Sequence, residues 1–465
     1  MKLPRRIVTV TAAAAALTAT LAAPTPQASA ATTYAGYVMG YFTESNQGAG
    51  NNYGLHLAVS TDGLEWTPLN QNAPVVTPTA GTLGLRDPFI LRKQDGTFQI
   101  LATDLNGTDW SQQNQYIHVW DSTDLRSFTN YRRVKLHSMA THSWAPEAFW
   151  DASRGQYAII YSADNGTRNV IMVNYTTDFT NVSTAQVYFD PGFNVIDADV
   201  AVGDNGTNYL YYKDEASGGK LRGAKATSLA PGSFNSGTYT GTIAHGGTEA
   251  PILVKSLTAS NTWYLWGDTY TPNGVFYAWQ TTSIGIDAWT PVDQKRYTQP
   301  LNSKHATITP ITATEMSNLL ARWGAPTWNR LKSYNYPDRY VRHADYAGRI
   351  DPYPFDPYLD SEWKLVPGLA DSAGVSFQSV NFPDRYLRQS SYNVVLDPND
   401  GSSTFKSDAT FYPTAGLADA AAKSYRSYAH PDRYLRHFAY ALRIDPLGAG
   451  SPVLDRQDAT FLLTR

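Results

Sequence analysis

A chain of 465 residues is more than one ordinary hydrophobic core organises, so two or three domains are expected. A formal net charge of -3 excludes broad nucleic-acid binding, because no strongly basic face can be assembled. The absence of cysteine excludes disulfides and thiolate chemistry and leaves burial to hold the fold.

The N-terminus reads as a secretory leader over residues 1–30. Lys2, Arg5 and Arg6 precede an apolar run from Ile7 to Ala23, and Ala28-Ser29-Ala30 offers a small-residue cleavage site. The run is interrupted by Thr and falls short of the roughly 20 apolar residues that span a bilayer. No later segment is long and apolar enough to cross a membrane. The expectation is therefore a secreted, extracellular protein with no membrane partner.

Residues 32–322 carry a long-period repeat. Five stretches open an apolar strand beside an acid or imidazole: Arg86-Asp87-Pro88, Ala145-Pro146-Glu147, Ile196-Asp197-Ala198-Asp199, Glu249-Ala250-Pro251 and His305-Ala306-Thr307. Taken at 87, 147, 197, 249 and 305, these are 60, 50, 52 and 56 residues apart. A second repeat runs in step, including Ser60-Thr61-Asp62, Ser122-Thr123-Asp124 and Thr176-Thr177-Asp178. Turn signals at Asp95-Gly96 and Asp204-Asn205-Gly206 separate alternating strands, giving units of strand, turn, strand and outer strand. Short strands at this period predict a five-bladed β-propeller, with Gly36–Thr43 completing the last blade and closing the ring.

Inner strands of a propeller all start near its axis, so Asp87, Glu147, Asp197, Glu249 and His305 are expected to converge on one pocket. Paired carboxylates in a pocket suit glycosidic bond hydrolysis. Glu147 is a substrate contact or a structural wall residue. Asp199, two residues beyond Asp197, is expected to point the same way and competes with it for a tuning role. Trp110, Trp144, Tyr212, Tyr270 and Trp279 fall near strand ends and are candidates for sugar-stacking platforms.

In that order along the chain, Arg86-Asp87-Pro88, Trp144-Ala145-Pro146, Ile196-Asp197, Glu249-Ala250-Pro251 and His305 resemble glycoside hydrolase family 43. The resemblance implies Asp87 as general base, Glu249 as general acid, and Asp197 as the group that orients the acid and tunes its pKa. An inverting hydrolase keeps one carboxyl ionised and one protonated, and an ionised Asp197 is expected to keep Glu249 protonated. Trp144, His305 and Glu147 are expected to contact substrate. The family places an imidazole close to a central water or metal ion, often calcium, and His305 matches it, although Lys304 stands where the family has Arg. A lone strand His without a calcium-loop pattern argues against a required metal, so no cofactor is expected beyond a possible calcium or water on the axis near His305.

The remaining residues, 326–465, contain a threefold repeat. Ser333-Tyr334-Asn335-Tyr336-Pro337-Asp338-Arg339-Tyr340 recurs from Ser379 and from Ser427, at periods of 46 and 48 (333, 379, 427). Asp360-Ser361-Glu362-Trp363 recurs as Asp408-Ala409-Thr410-Phe411 and Asp458-Ala459-Thr460-Phe461. Three β-rich repeats predict a β-trefoil. The region resembles the arabinofuranose-binding module, carbohydrate-binding module family 42. That resemblance implies sugar-binding pairs His343 with Asp360 and His437 with Asp458, and in the middle lobe Gln389 with Asp408. Several lobes on one polymer raise retention by avidity. Met316–Trp323 reads as a short helix leading through Gly324-Ala325-Pro326 into the first lobe without a linker.

Together the two resemblances imply a secreted, inverting, exo-acting α-L-arabinofuranosidase, monomeric, acting on plant cell-wall arabinan or arabinose side chains. The alternatives are another hydrolase of the same fold, a β-xylosidase or β-1,3-galactanase, or a catalytically silent polysaccharide-binding protein.

Overall fold

The computed structural model describes Met1 and residues 32–45, 51–203, 206–216, 218–240, 243 and 247–465. The expected leader, Met1 apart, and Asp204 and Asn205 of the expected turn lie outside the described residues.

Strands rich in aromatic and β-branched residues, such as Tyr209-Leu210-Tyr211-Tyr212, assemble into five four-stranded antiparallel sheets arranged as the blades of a propeller. Their innermost strands are Leu85–Arg92, Trp144–Asp151, Val195–Val202, Thr248–Lys255 and Ser303–Ile311, which define blades 1 to 5. In blade 5 the strand Gly36–Thr43 lies between Ser303–Ile311 and Asn52–Ser60, with Val38 opposite both Thr309 and Val59. The N-terminal strand thus completes the last blade, and ring closure leaves no long free edge.

Each blade has four strands where the sequence pattern shows three. The outermost strand is as short as two residues at Thr67–Pro68 and Thr290–Pro291, too short to carry an alternation. The second repeat has a local cause. The hydroxyls of Ser60, Ser122 and Thr176 accept from the amides of Gly63, Leu125 and Phe179 at 2.9, 2.8 and 2.9 Å, and Asp62, Asp124 and Asp178 cap the same turns.

A feature of the backbone sets the geometry of the axis. Near its start every innermost strand carries one residue with positive φ: Asp87 (50°), Ala145 (48°), Asp197 (53°), Ala250 (51°) and His305 (35°). The strand register breaks at the same places, between Arg86 and Phe89, Trp144 and Glu147, Ile196 and Asp199, and Glu249 and Ile252. In blade 5 the same break falls between Lys304 and Thr307, which pair with Phe42 and Gly40, so the innermost strand again carries the extra residue. These are bulges, and each non-glycine residue in the left-handed region costs about 1–3 kcal/mol, strain that clusters at functional sites.

The bulges correct the alignment read from sequence. The residues equivalent to Asp87 are Ala145, Asp197, Ala250 and His305, not Glu147 and Glu249. Glu249 stands one residue before its bulge, in a row with Arg86, Trp144, Ile196 and Lys304. Glu147 and Asp199 stand two residues past theirs, in a row with Phe89, Ile252 and Thr307.

Residues 330–464 form one twelve-stranded sheet with three similar lobes. Its first strand pairs with its last, Arg330 opposite Thr464, and a bridge from Asn329 to Trp363 closes the ring. Inner hairpins of the three lobes meet through Ala347–Val395, Asn393–Arg443 and Arg349–Ala441. The interior is filled by equivalent side chains, among them Trp363, Phe411 and Phe461, and Val341, Leu387 and Leu435. The helix Ala313–Trp323 starts three residues earlier than expected because Thr312 and Glu315 form a reciprocal capping box. Beyond it the two regions touch directly: Lys332 Nζ donates to the carbonyl of Tyr297 at 2.8 Å, and the Tyr353 hydroxyl accepts from the Asn302 amide at 2.5 Å.

Candidate active site

A pocket of about 680 Å³ opens at the end of the ring where the inner strands begin. Asp87, Trp144, Asp197, Glu249, Lys304 and His305 all line it, because the bulge turns both the bulged residue and the one before it toward the axis.

Asp87 is held by two partners. Its Oδ2 accepts from Thr103 Oγ1 at 2.7 Å, its Oδ1 lies 3.0 Å from His305 Nδ1, and Thr103 in turn accepts from the amide of Ala145, tying blade 1 to blade 2. Burial opposes the charge on Asp87, but His305 and these hydrogen bonds prevail and its pKa falls to about 2. Burial likewise opposes protonation of His305, yet Asp87 and Asp197 raise it to about 9. The pair is an ion pair at neutral pH.

Glu249 sits between two ammonium groups. Lys213 Nζ, from blade 3, is 2.9 Å from Oε2, and Lys304 Nζ, from blade 5, bonds Oε1 and also Asp268 Oδ2 at 2.7 Å. Burial would raise the Glu249 pKa, but the two lysines hold it well below the usual carboxylate range. Asp197 is raised to about 6, by burial first and by Glu249, against the pull of His305. This reverses the expectation that an ionised Asp197 keeps Glu249 protonated: here Asp197 takes up a proton first as pH falls. Asp197 also grips the strand that presents Glu249, accepting from the Ala250 amide at 3.2 Å.

Lys213 and Asp268 were not singled out from sequence. They stand on second strands, directly across from Ile196 and Glu249, at the register position that holds Thr103 and Ser162 in blades 1 and 2. A charged residue at the end of an otherwise apolar strand was the available signal. A further polar wall, also missed, is built on Glu44, which bonds Arg86 Nη1, the Tyr53 hydroxyl at 3.0 Å and Asn273 Nδ2 at 2.6 Å.

Two expectations are corrected outright. Glu147 is not among the residues lining the pocket; it lies beyond the bulge against Asp199, each carboxyl hydrogen-bonded to the other, and burial raises the Glu147 pKa well above the ordinary carboxyl value. Asp199 does not share the direction of Asp197, because the bulge breaks the two-residue alternation, and its Oδ2 instead accepts from the Leu253 amide at 2.5 Å. Of the aromatic candidates, Trp110, Trp144 and Tyr270 line the pocket, whereas Tyr212 and Trp279 are buried inside their blades. Among the described residues no group of three His, Asp or Glu is arranged to hold a metal ion, and no helix is long and apolar enough to cross a membrane.

In the C-terminal region each expected pair is in contact: His343 Nε2 is 3.1 Å from Asp360 Oδ1, His437 Nε2 is 3.4 Å from Asp458 Oδ1, and Gln389 Nε2 donates to Asp408 Oδ1 at 2.5 Å. Two partners were missed. An arginine from the same lobe, Arg342 or Arg436, pairs with the aspartate at 2.6 or 2.5 Å. An asparagine from the following lobe bridges the pair: Asn381 serves His343 and Asp360, and Asn335 serves His437 and Asp458. The equivalent position for the middle lobe is Ala429, so Gln389 and its missing asparagine mark one dismantled copy and two complete ones.

Residues 32–317 match the family described as "Probable glycosyl hydrolase domain", and residues 329–463 match the "Alpha-L-arabinofuranosidase B (ABFB) domain". The chain is 28% identical over 206 residues to an alpha-L-arabinofuranosidase of Bifidobacterium longum, covering 38% of this chain and 19% of that protein. It is 58% identical over 82 residues to an extracellular exo-alpha-(1->5)-L-arabinofuranosidase of Streptomyces avermitilis, covering 18% and 17%. The matched part is less than a fifth of either relative. Among solved structures, an exo-beta-1,3-galactanase from Clostridium thermocellum is similar at 13% identity and a TM-score of 0.39 over 84% of this chain and 99% of its own.

Proposed function

The chain belongs to the glycosyl hydrolase family matched over residues 32–317, and on that premise we propose that it is a secreted, inverting exo-α-L-arabinofuranosidase releasing arabinose from α-1,5-arabinan or from arabinose side chains of plant cell walls. Its organisation in this reading is a leader at 1–30, a catalytic propeller at 32–322 and a sugar-binding β-trefoil at 326–465, acting as a monomer. Three four-stranded lobes meeting in one closed sheet support the trefoil.

The observation that carries the reading is that Asp87 and Glu249, from blades 1 and 4, line one pocket, Asp87 against His305 and Glu249 between two lysines with Asp197 holding its strand. Asp87, kept ionised beside His305, is the general base that takes a proton from the attacking water. Glu249 is the general acid for the leaving oxygen, and Asp197 holds its strand and shares a proton with it. Close acids titrate as a pair, and the pair must carry one proton for the acid step. In the free pocket that proton favours Asp197. A bound sugar that draws Lys213 away from Glu249 removes one of the two charges holding it ionised, and the proton passes to Glu249. Arabinose as the sugar is supported by the ABFB domain and by the names of the relatives.

Linear 1,5-arabinan tests this directly: arabinose as sole product, with the anomer opposite to the substrate's appearing first in proton NMR, is the expected result. Longer fragments oppose exo action. Retention of configuration removes the assignment of Asp87 as base.

A further inference from the structure

A second cavity, of about 690 Å³, lies beside the central pocket and shares one side chain with it, Trp110. Its walls come from three loops: 105–115 in blade 1, 136–143 between blades 1 and 2, and 165–168 in blade 2. All three emerge on the face where the inner strands begin, since Leu85 pairs with Asp104 and Trp144 with Ser162. The two cavities therefore open side by side.

Trp110 is 53% exposed, which is unusual for an indole held on both sides. The Arg86 guanidinium lies 4.7 Å from its ring centroid, and Trp144 packs edge-on at 5.7 Å. Behind Trp144, His142 stacks at 3.5 Å, and its Nε2 is buried with no hydrogen-bond partner among the described residues. Burial lowers the His142 pKa to about 4, so this nitrogen belongs to a neutral ring. Gln113 and Thr141 add polar groups that both donate and accept. An exposed aromatic face beside neutral donors and acceptors and the acid Asp164, with no cationic side chain in the lining, suits uncharged polyhydroxylated rings rather than an anion.

We propose that this second cavity holds the sugar residues on the leaving-group side of the scissile bond, so that an oligosaccharide lies across Trp110 with its terminal residue in the central pocket. The proposal rests on cleavage taking place in that pocket. It predicts that binding energy is gained from residues remote from the reacting bond, and that substrates long enough to cross Trp110 profit from it.

Ala140 lines only the second cavity and is exposed, so Ala140→Trp fills it without touching the core or the carboxylates. With purified full-length protein, kcat/KM is measured on nitrophenyl α-L-arabinofuranoside and on linear arabinotriose and arabinotetraose. Ala140→Trp is expected to stay within twofold of wild type on the aryl glycoside and to lose about tenfold on the trimer and tetramer, mainly in KM. Gln113→Ala should shift the same ratio less. Equal effects on short and long substrates, or none on either, overturn the second cavity while leaving the central pocket intact. Wild-type protein that hydrolyses no arabinoside overturns the functional reading and this proposal together.

Discussion

The two halves of the molecule use symmetry in opposite ways. In the propeller, five copies of one strained backbone bulge present three kinds of side chain, the acids Asp87 and Asp197, the methyls of Ala145 and Ala250, and the imidazole of His305, and a sixth group, Glu249, enters one position earlier. In the C-terminal region, two of the three lobes repeat one set of side chains, His with Asp and Arg, bridged by an Asn from the next lobe, and the middle lobe keeps the Asp and Arg with Gln389 in place of His. Chemistry at a single bond needs dissimilar groups around one point, so backbone repetition is kept and side-chain repetition is lost. Under the proposed function the lobes serve retention on a polymer, which needs the same contact several times, so side-chain repetition is kept.

The sharpest way to break this contrast is at the ring centre. Glu249→Gln and Asp87→Asn are each expected to lower kcat by about 10³-fold or more on an arabinoside, with unchanged far-UV circular dichroism. A loss below tenfold in both would place the chemistry elsewhere.

In the lobes the expected losses are smaller and shared. His437→Ala should weaken binding of a catalytically inactive chain to arabinan by about fivefold, since one hydrogen-bonding site is lost from an avid set. Gln389→Ala, in the lobe whose bridging position is Ala429, should change it by less than about twofold. Isothermal titration on both variants decides whether the middle lobe contributes, and equal losses would erase the distinction between complete and dismantled copies.

Electrostatics offers a finer test. Activity should fall as pH rises above about 6, where the proton shared by Asp197 and Glu249 is lost. Lys213→Gln removes a positive charge that favours ionisation of Glu249, so the alkaline limb of the kcat/KM profile should move to higher pH, by about half a unit or more. A downward shift contradicts the shared proton.

The smallest expected effect concerns Glu147. Its folded pKa is raised above the unfolded value, so its contribution to stability is complete at low pH and is lost as pH rises through the folded pKa. Glu147→Gln carries no such dependence. Relative to wild type it should therefore gain stability with pH, by about 2 °C in Tm between pH 5 and pH 8.

Much of this architecture is legible in the chain itself. Blade number follows from the strand mouths at Asp87, Asp197 and His305, the closing role of Gly36–Thr43 follows from its apolar pattern, and the three lobes follow from near-identical segments such as Ser333–Tyr340. The acids of the pocket were also legible, because a carboxylate at the head of an apolar strand has few other uses. The register of those strands was not. A bulge inserts a residue without changing composition, so Glu147 and Glu249 looked equivalent to Asp87 although they stand two residues past and one residue before their bulges.

Sequence alone thus determined which segments repeat and which residue types head each strand, since these depend on local pattern. Tertiary structure decided which of those residues meet: Lys213 with Glu249, Glu147 with Asp199, Asn335 with His437 across 102 positions of chain. Such contacts join different blades or different lobes. They are set by strand register and ring closure, and a one-residue slip in a strand sends a side chain to the opposite face.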